Sequence, residues 1–148
     1  MSDNGFRIIG LNALGMLLVG MFLGGMPLVW VVAQSVYHQA APIQTGGDYR
    51  GWMMAHLEGL LNGLMVVAVA VAVRVRPMTA GREGLFVPAL LVGGWGNTIA
   101  SILAPVLGVR GMVFDASAPN NLITGLFTLA LVGGVTALIV AIRHLWGR

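Results

Sequence analysis

Four polar side chains in otherwise apolar surroundings carry whatever chemistry this sequence has: His56, Glu58, Asn62 and Asn97. His56 heads a segment that then runs apolar to Val73. Polar groups near a bilayer are costly and usually have a partner, a cavity or a cofactor. On a helix, His56, Gly59, Leu60 and Gly63 share one face. That sets an imidazole beside a strip without side chains, against which a planar macrocycle can lie. Glu58 and Asn62 are one turn apart and point roughly away from His56.

The run Gly93-Gly94-Trp95-Gly96-Asn97 repeats the theme, with a Trp and an Asn among glycines. Asn62 follows Trp52 by about ten residues and Asn97 precedes Leu107 by about ten. At ~1.5 Å rise per residue the two amides reach similar depth. Two readings stay open: the floor of a polar pocket, or an Asn62–Asn97 hydrogen bond that serves only assembly. Glu58 is either a hydrated interfacial carboxylate, a functional acid, or an ion-pair partner of Arg50 or Arg110. His38 and His144 read as plain interfacial residues, and the methionines as packing residues. No second histidine stands at the spacing of a bis-histidine haem bundle. An iron held by His56 would therefore have one protein ligand and an open sixth position, which suits chemistry better than electron transfer.

The elements that must position these groups follow from composition. The 148 residues are 57% hydrophobic and 9% charged, with mean hydropathy +0.88. A soluble domain carries about 25% charged residues. Four apolar stretches, roughly 8–36, 52–73, 85–107 and 122–146, each supply the ~20 residues that cross ~30 Å of hydrocarbon. The expected fold is a single all-α domain, 1–148, built as a four-helix transmembrane bundle. The first stretch exceeds the 7–15 residues of a signal h-region and reads as a retained span.

All eight basic residues are Arg, and they gather at helix ends, a pattern of membrane orientation rather than nucleic-acid binding. Arg7, Arg74, Arg76, Arg82, Arg143 and Arg148 fall on one side, Arg50 and Arg110 on the other. This predicts both termini in the cytoplasm, in an inner (cytoplasmic) membrane. Trp30, Tyr37, Tyr49 and Trp52 would mark the outer interface and Trp146 the inner one. Residues 108–121 are expected to fold back as a lid over the outer end. Most of the 22 glycines read as helix-packing positions. Cysteine is absent, which excludes disulfides, zinc–thiolate sites, covalently attached haem and Cys-held iron–sulfur clusters.

The stretch Gly51-Trp52-x-x-Ala55-His56, continuing through Leu61-Asn62-Gly63-x-Met65 to Ala68-Val69-Ala70, resembles the second span of the styrene oxide isomerases. Gly94-Trp95-Gly96-Asn97 with Arg110-Gly111-Met112-Val113-Phe114 is similar to that family's third span and following loop. The resemblance covers about a third of the chain. It implies a homotrimeric membrane enzyme with ferric haem b near the subunit interfaces. His56 matches the iron ligand and Asn62 the asparagine of the pocket. The implied reaction is a Meinwald rearrangement of a small hydrophobic epoxide. Ferric haem acts as a Lewis acid on the epoxide oxygen, the benzylic C–O bond opens, a 1,2-hydride shift follows, and an aryl acetaldehyde leaves. Ser101 stands where the family has a pocket tyrosine, and Glu58 where a small residue is expected.

Asn62, Asn97 and Ser101 are thus the candidate catalytic residues; His56, Gly59, Gly63 and Arg110 are the candidate haem-binding residues, with propionates near Arg50 or Arg110. Because His56 and Asn62 face different sides of one helix, a cofactor between subunits would take one from each chain. Two other functions compete: a haem-binding sensor or carrier without isomerase activity, and a cofactor-free structural or transport bundle.

Overall fold

Hydrogen-bonding side chains start the helices before the apolar runs begin. The structure, a computed structural model, describes residues 1–37 and 47–147, apart from the side chains of 36 and 37. Ser2 caps α1 (Asp3–Val19) by accepting from the Gly5 amide, and Asp48 caps α3 (Tyr49–Val73) through the Gly51 amide. Ser117 caps α5 (Ala118–Trp146) through the Asn120 amide. Such caps satisfy amides that the first turn leaves without partners. The helices therefore begin three to five residues before the hydropathy-based spans, because the cap and polar first turn contribute no apolar signal.

Between α1 and α2 (Gly25–Tyr37) lies a single π turn, Gly20–Gly24. It joins them into one rod, which the sequence reading treats as an ordinary helix. α4 (Ala80–Leu107) ends on Gly108, whose left-handed φ of 65° suits glycine. Four helices are long and apolar enough to cross a membrane, and no strand occurs among the described residues.

α4 packs between α3 and α5, and α3 carries the α1–α2 rod. Glycine decides how closely the rods approach. A Cβ on Gly133 would lie 2.8 Å from the Ala89 carbonyl, and one on Gly20 would lie 2.7 Å from the Gly59 Cα. In lipid, where no hydrophobic force draws helices together, such backbone contact supplies the attraction. The buried core of Ile9, Met16, Val66, Phe86 and Leu90 is modest, while Leu11, Leu14, Leu131 and Ile142 are exposed. That arrangement suits an apolar solvent around the bundle.

One end of the bundle gathers both chain ends. Arg74 pairs with Asp3 at 2.7 Å, and Arg76 donates to the Gly147 carbonyl at 2.8 Å. Ser2 bonds Glu83 through backbone and side chain. His144 belongs to this knot. It is buried, with Nε2 3.2 Å from the Val73 carbonyl, which corrects its reading as a plain interfacial residue. Trp52, in the first turn of α3, is likewise buried, at 3% exposure, while Trp146 is 85% exposed. His38 lies outside the described residues.

Gly133→Ala is expected to destabilise the bundle by about 1–3 kcal/mol through overpacking. Gly84→Ala, where a Cβ meets nothing within 4 Å, should be neutral or stabilising by up to about 1 kcal/mol. Unfolding in mixed micelles with increasing SDS compares the two.

Candidate functional site

α3 presents different chemistry to its two neighbours. Towards the α1–α2 rod it offers Ala55, His56, Gly59 and Gly63. A Cβ on Gly24 would sit 2.7 Å from the His56 backbone nitrogen, and one on Gly25 would sit 3.0 Å from His56 Nδ1. The imidazole is half-buried, and its Nδ1 lies 3.0 Å from the Gly20 carbonyl. A carbonyl only accepts, so Nδ1 is the donor in this contact, and in a neutral ring Nε2 then carries the lone pair. Nε2 has no hydrogen-bond partner among the described residues. No buried side-chain nitrogen or oxygen lacks a partner there, so Nε2 lies at the surface of the single chain.

The glycine strip beside His56 is not open. α1 fills it: a Cβ on Gly63 would lie 2.7 Å from Leu17 Cγ and 2.8 Å from the Ala13 carbonyl, and Gly59 meets Gly20 backbone to backbone. The expectation that Gly59 and Gly63 form a bare surface for a macrocycle is corrected accordingly. A side-chain-free strip is as good a seat for a neighbouring helix as for a flat ligand, and the chain's own first rod takes it.

Towards α4, α3 offers Glu58 and Asn62. Asn62 Nδ2 donates to Thr98 Oγ1 at 3.1 Å, and Thr98 Oγ1 donates to the Gly94 carbonyl at 2.8 Å. Asn97 Nδ2 donates to Glu58 Oε2 and faces Asn62 Oδ1 at 3.4 Å. The two amides therefore meet at one depth. Both also line one hollow, so the contact between the amides and a cavity beside them occur together. A cleft of about 620 Å³ runs past Glu58, Asn97 and Ser101 between α3, α4 and α5. Asn97, Phe127 and Leu131 continue into a second hollow of about 370 Å³ that reaches Asn62. Clefts of this size suit small-molecule ligands.

Glu58 is held by Asn97 rather than by an arginine. Arg50, Arg110 and Asp48 stand along the same cleft, together with Gly111 and Met112. Residues 108–117 fold against the start of α5, where Asn120 Oδ1 accepts from the Gly111 amide at 2.9 Å and its Nδ2 donates to the Val113 carbonyl at 2.7 Å. The expected lid is thus a wall of the cleft. Ser101 Oγ donates to the Asn97 carbonyl of its own helix at 2.8 Å, so its hydroxyl turns back to the backbone.

The sequence reading missed Thr98 and Asn12, and took Gly20 for a packing glycine only. Asn12 accepts from Trp95 Nε1 at 2.9 Å. An amide in the first apolar run was the available signal for that pair; nothing marked the π turn.

No group of three or more His, Cys, Asp or Glu able to hold a metal occurs among the described residues. A lone imidazole with a free Nε2 fits a metal that brings most of its donors with it.

Four helical rods long and apolar enough to cross a membrane, three of them lining a cleft, are the architecture of a multi-pass membrane protein. The chain matches the family model for styrene oxide isomerase over residues 7–146, nearly its whole length. It belongs to the styrene oxide isomerase family, and membership indicates an isomerase. No curated protein matches it.

Thr98→Val removes the buried acceptor of the Asn62 amide and is expected to cost about 1–3 kcal/mol. Adding Asn62→Leu should recover part of that loss, because the unpaired amide goes too. A double-mutant cycle of unfolding free energies checks the coupling.

Proposed function

We propose that this protein is a haem b-dependent isomerase that converts aryl epoxides to aryl acetaldehydes in the membrane, by a Meinwald rearrangement that consumes no electrons. The observation that carries the reading is His56, whose Nδ1–H is tied to a backbone carbonyl while Nε2 remains free. Ligating histidines commonly donate their other ring N–H in this way, which sets the tautomer and orients the ring. When bound, ferric haem supplies a Lewis acid for the epoxide oxygen.

The chain's own groups do the rest. Met54, Ala104, Phe127 and Leu131 line the cleft and keep an aryl epoxide and its product away from water. Asn62 and Asn97, held by Thr98 and Glu58, give the pocket fixed polar groups for orienting the epoxide. Arg110 and Arg50 at the same cleft suit the propionates. His56 faces the α1–α2 rod and the cleft lies on the other side of α3. A site made from both thus draws His56 from one chain and the cleft from its neighbour, in a homotrimer. The Arg-rich end, with both termini, is assigned to the cytoplasmic side of the inner membrane. Ser101, smaller than a tyrosine and turned towards its own helix, leaves room for an aryl group larger than phenyl.

Purified protein should show a Soret band that His56→Ala abolishes, and should release phenylacetaldehyde from styrene oxide. Asn62→Ala should keep the band and lower kcat by about 10²-fold. A preparation with no Soret band removes haem from the account. A Soret band with no aldehyde from any aryl epoxide leaves a haem-binding protein of another kind. Mixed oligomers of His56→Ala and Asn62→Ala chains should regain activity if sites are shared; none regained would place each site within one chain. Ser101→Tyr should narrow turnover towards small aryl epoxides, measured as a ratio of kcat/KM between styrene oxide and a naphthyl epoxide.

A further inference from the structure

The π turn at Gly20–Gly24 has no explanation in helix packing alone. Small residues let two regular α-helices touch equally well, and π turns are rare and frequently sit at functional sites. This turn lies against His56. The Gly20 carbonyl already accepts from the Gly25 amide, five residues on. It does not need a second donor to be satisfied, yet His56 Nδ1 approaches it at 3.0 Å. The contact therefore acts on the imidazole rather than on the carbonyl. Three glycines make it possible. Gly20 and Gly24 bring the rod's backbone onto that of Gly59 and His56, and Gly25 leaves space beside the ring, where a Cβ would stand 3.0 Å from Nδ1 and 3.3 Å from Cε1.

We propose that the Gly20–Gly24 π turn is a positioning device for His56: its Gly20 carbonyl fixes the ring's tautomer and rotation and strengthens Nε2 as a donor to the iron. This rests on the haem reading above for the identity of the metal, but the tautomer it requires does not. A hydrogen bond from Nδ1–H to an acceptor raises the electron density at Nε2 and tunes the metal it ligates. The outcome is a firmer iron–histidine bond and a ferric state favoured over the ferrous one, as suits a Lewis acid that is not meant to cycle its charge.

Two variants separate this role from packing. Gly25→Ala places a methyl against the ring edge and meets no backbone atom closer than the Gly20 carbonyl at 3.8 Å, so the fold is expected to survive. Deleting Phe22, an exposed residue, removes the extra residue of the π turn and restores a regular helix on both sides. In full-length protein reconstituted in nanodiscs, both should retain haem. Resonance Raman of the ferrous form should show the iron–histidine stretch moved to lower frequency, and the midpoint potential should rise. Leu18→Ala, an exposed change on the same rod, should move neither. Folded, haem-loaded Gly25→Ala with the wild-type stretch and potential overturns the proposal. Independently of haem, ¹⁵N spectra of the haem-free full-length chain, with His56 assigned by His56→Gln, should show Nδ1 protonated and Nε2 bare. The opposite tautomer overturns the proposal, while absence of a Soret band with the expected tautomer overturns only the haem reading.

Discussion

The backbone of the first rod lies directly on the backbone of α3, and the rest of the arrangement follows from that contact. Gly20 meets Gly59, Gly24 meets the His56 amide, and Leu17 covers Gly63. Within lipid the apolar side chains gain nothing by leaving one apolar phase for another, so close van der Waals contact and hydrogen bonds must supply the attraction. The same contact places a backbone carbonyl within reach of an imidazole and gives the ring one committed nitrogen and one free nitrogen. Packing and the orientation of the imidazole are set by the same few glycines.

The opposite side of α3 obeys a different constraint. Every polar atom buried between helices needs a partner, and the Glu58–Asn97–Asn62–Thr98 chain meets that requirement internally. A carboxylate at this position is tolerable because an amide faces it. The chain of bonds also holds the amides steady along a cleft whose other walls are apolar. Ser101, bonded to its own helix, contributes space rather than reach. One helix thus turns His56 towards the first rod and Glu58 and Asn62 towards α4, pointing apart; the function proposed above uses a second copy of the chain to bring the two sides together.

Much of this was legible in the residues. Long apolar runs with arginines at their ends required spanning helices, and the clustering of Arg74, Arg76 and the termini at one end appears directly in the Arg74–Asp3 and Arg76–Gly147 contacts. Equal depth of Asn62 and Asn97 followed from helical rise, and they do meet. The reading went astray where a residue's partner lies in another helix. Gly59 and Gly63 looked open because periodicity places residues on a face without saying what covers it. The burial of His144 and Trp52 was not legible because hydropathy measures distance from an apolar run, not cover by a neighbour.

Composition and spacing by themselves determined the four spans, the gathering of arginines at their ends, and the position of a histidine at the head of the second span. These depend on local quantities: transfer cost per residue, rise per residue and the positions of fixed charges. Only the tertiary structure decided which nitrogen of His56 is free, that a π turn supplies the carbonyl opposite it, and that Glu58 answers to Asn97 rather than to arginine. Those outcomes turn on single hydrogen-bond contacts between residues up to 39 apart in sequence. A pattern along one helix carries no information at that precision about the helix lying against it.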